Sequence, residues 1–495
     1  MKKRVSCYMR NKLNLISALA LQIITIVSGL ILPRLIINAF GSDINGLVSS
    51  IKQFLSFISL FEGGLGAVVL SALYRPIETK NKLLVSQIIT ECSVFFKNLS
   101  IGFLIYTIIL ALVYPFIINN NLSFGFVSTL ILILSFTTLM QYLFSISFKL
   151  LLQADQKIYI PNFISALTVV LNLIFTIVII KFYKNVHMVY LGSSIIFLIQ
   201  PVIYNSYVRK NYDLIKITDR NPNVLKNKRS GFSQNLAHFI NMNTDIIVIS
   251  LFSTLQDVSV YSVYMLAFIA IRNIISTAAS SYQSALGKYI AMNNINDLQE
   301  NFFKYEKILW IISIILFSTC LLLINQFVGI YTTGIKDVNY YRPIFALIMT
   351  IAQFFYTARE SYRYLILAAG KFKETNNGAI IEAVLNIVIS VILIIYFGIV
   401  GVAIGTVIAI VYRLIYFVHY LKSDIVYLKI SEFLSFLFIS IIVFSINIYV
   451  YFNYNIIIND FISFIKYGMF ILPSEVIITF ITMFFVFKIK SKLSK

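Results

Sequence analysis

The chain has 495 residues, of which 59% are hydrophobic and 12% are charged, and its mean hydropathy is +0.87. Soluble proteins carry about 25% charged residues. A water-soluble fold is therefore excluded, because polar groups could not cover the surface of so apolar a chain. The 40 Lys and Arg residues exceed the 20 Asp and Glu residues, which gives a net charge of +20. In a membrane protein this excess is explained by cytoplasmic loops, and we expect no nucleic-acid partner.

Apolar segments long enough to cross a bilayer recur along the whole chain. A helix needs about 20 apolar residues to cross ~30 Å of hydrocarbon. Fourteen segments meet this length: 13–38, 44–73, 98–118, 125–148, 160–180, 187–207, 232–253, 258–285, 307–328, 341–368, 376–397, 401–421, 433–453 and 467–487. The pattern predicts an all-α, polytopic membrane protein with about 14 transmembrane helices. The basic N-terminus resembles a signal peptide, but the following run is too long, so we interpret it as an uncleaved first span.

The basic residues are distributed unevenly between alternate loops. If the N-terminus is cytoplasmic, the cytoplasmic segments hold 28 of the 40 Lys and Arg residues, and the outer loops hold four. Lys and Arg collect on the cytoplasmic side of membrane proteins. Both termini are therefore predicted to be cytoplasmic. The remaining eight bases lie within or near the predicted spans.

A shift of 214 residues aligns the two halves of the chain without a gap. It places Ala154, Lys157, Asn162 and Val170-Leu171-Asn172 on Ala368, Lys371, Asn376 and Val384-Leu385-Asn386. The shift maps spans one to six onto spans seven to twelve, so both halves enter the membrane from the same side. Transport sites tend to form at the interface of such parallel repeats. We predict two parallel six-helix bundles in residues 1–208 and 232–421, a basic cytoplasmic linker at 209–231, and two further helices with a basic tail at 422–495.

Motifs for enzymatic chemistry are absent from the sequence. There is no G-x-x-x-x-G-K-[ST] phosphate loop, and the short outer loops hold no clustered carboxylates. We therefore expect a protein that is not an enzyme, needs no cofactor and binds no metal as a resident group. The dispersed cysteines and histidines have no metal-ligand spacing: Cys7, Cys92, Cys320, His187, His238 and His419.

The charged residues inside the predicted spans are the best candidates for function. A Lys or Arg at the centre of a transmembrane helix costs roughly 2.5 to 3.5 kcal/mol on insertion scales, so such residues face a partner or a watery cavity. Lys97, Arg342 and Arg363 lie near helix ends, where a long side chain can reach the interface. The candidates for a cationic substrate cavity are the deeper bases Arg34, Lys52, Arg272, Arg359 and Arg413.

Acidic residues in the same spans offer a competing, purely structural interpretation. They are Glu62, Asp245, Glu360, Glu382 and Glu475. Asp245 and Arg272 lie on consecutive antiparallel helices at similar depths and are predicted to form an ion pair or share a water, while Glu360 has Arg359 and Arg363 nearby. Glu62, Asp245, Glu360 and Glu382 are thus candidates for either ion pairing or coupling to an ion such as H⁺ or Na⁺. If Arg34, Lys52 and Arg413 remain uncompensated, they form a positive cavity suited to an anion such as a phosphate.

Several stretches give the chain a family resemblance. They are Pro33-Arg34 through Gly41, Gly46-Leu47, Ser50 through Leu55, Leu60 through Gly66, Asn243-Thr244-Asp245, Val258 through Ser262, and Ala368 through Lys371 into Asn386. With these features the chain resembles the O-antigen-type polysaccharide flippases of the multidrug/oligosaccharidyl-lipid/polysaccharide (MOP) exporter superfamily. The resemblance implies a MATE-like fold in the bacterial inner membrane. It also implies alternating-access translocation of an undecaprenyl-pyrophosphate-linked oligosaccharide for surface polysaccharide synthesis.

Three other functions remain open at this point. Lipid II flippases share the fourteen helices and a cationic cavity. Cation-coupled drug exporters favour acidic cavities, which the basic set fits less well, and a membrane glycosyltransferase or polymerase would need exposed catalytic acids. The expected partners are the lipid-linked glycan, membrane lipids, and the polysaccharide polymerase and chain-length machinery.

Overall fold

The computed structural model describes residues 2–62, 65–118, 122–215, 217, 225, 243–292, 294–371, 374–424, 426, 428, 430–454, 458 and 460–493. The predicted linker 209–231 and the first part of the seventh span fall largely outside these residues, as does His238. Every regular element in the described residues is a helix. In chain order they are α1 Lys2–Phe40, α2 Ser42–Leu55, α3 Ile58–Glu62, α4 Leu65–Glu78, α5 Lys82–Ile117, α6 Phe124–Phe144, α7 Ile146–Ala154, α8 Tyr159–Phe182, α9 Val186–Phe197, α10 Ile199–Asn211, α11 Asn243–Phe252, α12 Leu255–Ala291, α13 Ile295–Tyr331, α14 Pro343–Ala358, α15 Glu360–Ala368, α16 Asn376–Phe397, α17 Ile399–Asp424, α18 Ile430–Asn453 and α19 Phe461–Leu493.

The described residues contain 11 helical segments that are long and apolar enough to cross a membrane. These 11 segments match 11 of the 14 predicted spans. The predicted span 44–73 is divided into α2, α3 and α4, the span 341–368 is divided into α14 and α15, and the span 232–253 is described only as the short helix α11. The chain is a multi-pass membrane protein, and the count of fourteen crossings stays a prediction.

Large apolar side chains cover the outer faces of these helices, as lipid contact requires. In water such a surface would be unfavourable, whereas in hydrocarbon it matches the solvent. Examples from α5, α16 and α19 are Ile105, Leu112, Phe116, Ile395, Tyr396, Phe470 and Phe484.

Two of the predicted spans that match a helical segment contain a break between two helices. The span 125–148 is divided at Ser145, whose φ of −123° departs from helical geometry. The span 187–207 is divided at Leu198. Pro201 lies three residues further on, and because proline has no N–H it cannot bond to the carbonyl of Phe197.

The helices separate into two compact units, residues 1–239 and 240–495. In the first unit α1 packs on α8, α5 on α6, α4 on α7, and α9 on both α6 and α8. Gly41 links α1 to α2 with φ 87°, a left-handed conformation that glycine adopts without strain. This turn sends α2 back into the unit, where it packs against α1 and α6.

The second unit repeats the helix order and contacts of the first. α13 packs on α14, α12 on α15, and α17 on both α14 and α16, while α18 and α19 pack on α13. Several helix bounds recur at the 214-residue offset: 146–154 becomes 360–368, the end at 117 becomes 331, and the end at 144 becomes 358. The positive φ of Gln156 recurs at Gly370. The sequence repeat is thus matched by a repeat of local structure, while its orientation in the membrane stays a prediction.

Glycines bring α16 and α17 into unusually close contact. A Cβ at Gly401 would lie 2.2 Å from the carbonyl oxygen of Leu393, and one at Gly405 would lie 2.3 Å from Oγ of Ser390. Small residues four apart let membrane helices approach closely. This contact matters for function because it sets Thr406 of α17 beside the polar residues of α16.

Candidate functional sites in the two units

The first unit contains a partly open polar cavity of about 320 Å³ among α1, α2, α6, α8 and α9. Its polar lining consists of side-chain hydroxyls, amides and one ammonium: Asn45, Ser49, Lys52, Thr137, Thr138, Asn172, Thr176, Tyr190, Ser193 and Ser194. The cavity contains none of the predicted acidic residues among its described lining. It therefore presents one positive charge in a neutral polar surrounding.

Lys52 is the charged residue of this cavity, and the local structure explains its place. It lies in the last turn of α2, where the free carbonyl ends of the helix favour a cation. α2 is anchored to α5 by a hydrogen bond in which the hydroxyl of Tyr114 donates to Oγ of Ser50 at 2.5 Å. The Nζ of Lys52 lies 5.5 Å from the ring centre of Tyr190, within cation–π range. No ion pair to Lys52 occurs within the described part of the chain.

The other predicted residues of the first unit do not line this cavity. Arg34 is on α1, one residue after the lining residue Pro33, and its side chain is not among the lining. Glu62 accepts a hydrogen bond from the hydroxyl of Tyr142 at 3.0 Å. The structure therefore brings Lys52, but neither Arg34 nor Glu62, to the polar cavity of this unit.

The second unit encloses a small charged cavity of about 30 Å³, which is room for about one water molecule. Four of the residues selected from the sequence line it: Asp245, Arg272, Arg359 and Glu382. Most of the remaining lining is polar or aromatic and comes from α12, α14, α16 and α17: Tyr261, Gln353, Tyr356, Asn386 and Thr406.

Asp245 is held in this cavity by hydroxyl groups. Its Oδ2 accepts hydrogen bonds from Tyr261 at 2.8 Å and from Thr406 at 2.9 Å, and its Oδ1 is buried without a hydrogen-bond partner. Arg272 donates to Gln353 at 3.2 Å. Asp245 and Arg272 thus line one cavity with room for about one water, and the ion pair or shared water between them stays a prediction.

Glu382 compensates two of the predicted cavity cations. It forms an ion pair with Arg359, and its Oε2 lies 3.5 Å from Nε of Arg413. Arg413 also donates to the carbonyl of Thr375 at 2.9 Å. The condition that Arg413 remains uncompensated is therefore not met, because the fold places the buried carboxylate of Glu382 beside it. Arg359 and Arg413 are parts of an ion-pair network rather than free cations.

Aromatic rings support the same arginines. The guanidinium carbons of Arg272 and Arg359 lie 4.0 and 4.5 Å from the ring centre of Tyr356, and that of Arg413 lies 4.3 Å from the ring centre of Phe417. Such contacts offset part of the desolvation of a buried guanidinium.

Glu360 forms its ion pair with Arg363, not with Arg359. The two nitrogens of Arg363 approach its two carboxylate oxygens at 2.7 Å each, in a bidentate fork. One of the two alternatives left open by the sequence is therefore selected. Glu360 is fully buried in this pair, which favours a structural role over coupling.

Both cavities also contain neutral polar residues, which a search of the sequence for charged residues does not find. In the first unit they include Asn172 and Tyr190, and in the second Tyr261, Asn386 and Thr406. Asn172 and Asn386 are equivalent at the 214-residue offset. The sequence repeat could therefore have identified one residue of each cavity, Asn172 in the first and Asn386 in the second.

The remaining candidates have ordinary structural contacts. His187 is within hydrogen-bond distance of Thr129 at 2.8 Å, and Cys92 and Cys320 are buried free thiols. Within the described residues no three His, Cys, Asp or Glu side chains are grouped as metal ligands. Glu475 accepts a hydrogen bond from Asn447 at 3.0 Å.

Comparison with solved structures identifies the fold. The lipid II flippase MurJ, in an inward closed conformation, is 17% identical, covers 97% of this chain and 100% of its own, and has a TM-score of 0.72. The chain has the MOP-superfamily fold. A multidrug-resistance MATE-family transporter of that superfamily is 14% identical over 81% of this chain and 95% of its own, with a TM-score of 0.64. A eukaryotic MATE transporter is 11% identical over 84% and 96%, with a TM-score of 0.57. No protein-family model and no curated protein sequence matches the chain.

Proposed function

We propose that this protein moves an undecaprenyl-pyrophosphate-linked oligosaccharide from the inner to the outer leaflet of a bacterial inner membrane, for surface polysaccharide synthesis. Both termini would be cytoplasmic, as the distribution of basic residues indicates. The MOP-superfamily fold supports transport rather than an enzymatic reaction, since the similar solved structures are transporters and a flippase. The polysaccharide polymerase and chain-length proteins are the expected partners.

The observation that carries this proposal is Lys52 in its polar cavity. A lysine in a membrane-spanning region needs a partner or water to offset its insertion cost. The described residues supply a ring at 5.5 Å but no carboxylate within ion-pair distance. An anionic substrate such as a phosphate would supply the missing charge, whereas a cationic drug would be repelled. This favours a phosphate-bearing lipid over the substrates of a drug exporter.

The test compares glycan display at equal protein level. Lys52→Ala should abolish surface polysaccharide while leaving the protein inserted, because loss of a charge does not hinder insertion. Lys52→Arg should be tolerated better, since it retains the charge. Lys181→Ala is the matched control: it removes a lysine that is exposed at the end of α8. Normal display by Lys52→Ala at normal expression would reject the proposal.

A second candidate function is lipid II translocation, and the likeness to MurJ over 97% of the chain favours it. Both candidate lipids present a pyrophosphate, so Lys52 fits either. Two complementation tests distinguish these functions. If the protein restores growth to cells depleted of their own lipid II flippase, lipid II is favoured. If it restores surface polysaccharide to a polysaccharide-flippase mutant, the first candidate is favoured.

Asp245 supports the further proposal that a cation such as H⁺ or Na⁺ couples to transport. Its Oδ1 has no hydrogen-bond partner, and the adjoining cavity has room for about one small ion or water. Asp245→Asn keeps the shape and removes the charge. We expect the variant to lose the dependence of transport on the Na⁺ or pH gradient. A variant whose transport responds to the gradient like the unaltered protein would contradict this role.

A further inference from the structure

The cavity of the first unit contains hydrogen-bonding groups that a phosphate alone would not satisfy. In its lining, Lys52 and Tyr190 form no hydrogen bond or ion pair with another described residue, and Oδ1 of Asn172 is buried without a partner. Lys52 and the hydroxyl of Tyr190 can donate to an anion. The unpartnered atom of Asn172 is its amide oxygen, which can only accept.

Asn172 limits the chemistry of the ligand, because its amide oxygen requires a hydrogen-bond donor. It is 7% exposed, and a buried acceptor without a hydrogen-bond partner is unfavourable. A fully ionised phosphate has no hydrogen to offer it. A ligand that satisfies the whole cavity must therefore present an anion to Lys52 and a hydroxyl or amide hydrogen to Asn172.

The volume of the cavity limits the size of this ligand. At about 320 Å³ it is at the lower end of small-molecule sites, which span roughly 300–1,000 Å³. A chain of several sugars would not fit. The ring of Tyr190, over which the ammonium of Lys52 lies at 5.5 Å, adds an apolar surface that one sugar ring can contact.

We propose that the polar cavity of the first unit binds a single glycosyl phosphate, with its phosphate on Lys52, its ring against Tyr190, and a ring hydroxyl or N-acetyl N–H on Asn172. This rests on the proposed function and deepens it, because it assigns recognition of the sugar next to the phosphate to one unit. Asn172 and Tyr190 then determine which first sugar is accepted, while Lys52 recognises phosphate in any substrate.

Calorimetric titration of the full chain in detergent tests the assignment. The probes are glucosyl phosphate, galactosyl phosphate, N-acetylglucosaminyl phosphate, inorganic phosphate and free glucose. We expect at least one glycosyl phosphate to bind about tenfold or more tightly than inorganic phosphate, as one or two additional hydrogen bonds would give. If no glycosyl phosphate binds more tightly than inorganic phosphate, the inference is overturned.

Variants separate the roles of the three side chains. Lys52→Met should weaken all phosphates by about tenfold or more, since a charged hydrogen bond is lost. Asn172→Leu and Tyr190→Leu should weaken only the glycosyl phosphate, and Asn211→Leu, at the exposed end of α10, is the matched control. Because the oxygen of Asn172 is unpaired, Asn172→Leu should fold normally. Tyr190→Phe keeps the ring and loses only the hydroxyl, so it should weaken binding of the glycosyl phosphate less than Tyr190→Leu does. Equal weakening of inorganic phosphate by Asn172→Leu would also overturn the inference.

The outcome distinguishes this inference from the proposed function. If Lys52→Ala abolishes glycan display but the Asn172 and Tyr190 variants keep the sugar preference, the inference fails and the proposed function stands. If sugar-selective binding is found but Lys52→Ala displays normal glycan, the binding site stands and the proposed function fails.

Discussion

Glu382 is expected to be the most sensitive ion-pairing residue of the second unit. It is 2% exposed and compensates Arg359 and Arg413, which are 4% and 7% exposed. Glu382→Gln keeps the volume of the side chain but removes the carboxylate that pairs with both guanidinium groups. Removing one member of a buried ion pair costs about 3–5 kcal/mol of folding free energy.

The contacts that remain place the expected loss near the lower end of this range. Arg413 keeps its hydrogen bond to the carbonyl of Thr375 at 2.9 Å, and Arg359 keeps its contact with the ring of Tyr356 at 4.5 Å. Each such contact offsets roughly 1 kcal/mol. We therefore expect Glu382→Gln to lower the free energy of unfolding by about 3 kcal/mol. The double variant with Arg359→Gln should lose less than the sum of its single variants.

The measurement is equilibrium unfolding of the purified protein in detergent, followed by fluorescence. Trp310 is the single tryptophan of the chain and is buried in the second unit, so its emission reports on that unit. Glu300→Gln is the control, because its pair with Lys304 is exposed and an exposed pair contributes little to stability. If Glu382→Gln costs no more than Glu300→Gln, or if the double variant is additive, the network does not stabilise the unit.

Two further predictions concern packing and buried hydrogen bonds in the same unit. Gly401→Ala should lower the free energy of unfolding by about 1–3 kcal/mol because its Cβ would overlap the backbone of α16. Gly329→Ala, on α13 of the same unit and with open space around it, should be neutral or stabilising; equal effects in the same unfolding assay would contradict the close helix contact. Tyr362→Phe should cost about 2 kcal/mol or more and shift the emission of Trp310, because the hydroxyl of Tyr362 both accepts from the indole of Trp310 at 3.1 Å and donates to Glu306 at 2.5 Å. Unchanged emission and stability would show that these bonds do not matter.

Hydropathy predicted the helical segments well because a single physical requirement, burial in hydrocarbon, determines them. The breaks within those segments were not predicted. Ser145 and Arg359 occur in apolar stretches that differ little from their neighbours, and the interruption of α9 and α10 depends on Pro201. A hydropathy profile contains neither the packing between helices nor the missing N–H of a proline, so it does not show such breaks.

The charged residues were found from the sequence because a charge is rare and costly inside a membrane-spanning helix. Their partners were only partly found. In the sequence both Arg359 and Arg363 lie near Glu360. The ion pair with Arg363 depends on a bidentate geometry that is visible only in the fold. Neutral partners such as Tyr261 and Thr406 are too common in membrane helices to be singled out by composition.

The 214-residue repeat gives the clearest account of how the two cavities differ. Asn172 and Thr176 of the first unit correspond to Asn386 and Ser390 of the second, so the amide-and-hydroxyl framework is repeated.

The charges on this framework are not repeated. Lys52 corresponds to Leu266, and Asp245 corresponds to Ile31. One copy of the framework therefore presents a single ammonium to its cavity, and the other presents two carboxylates and two guanidinium groups. A duplicated bundle can thus place different charges on equivalent scaffolds, an unbalanced cation in one half and a balanced set of charges in the other. The difference follows from the charged residues that each half adds to a shared framework: Lys52 in the first unit, and Asp245 with its charged neighbours in the second.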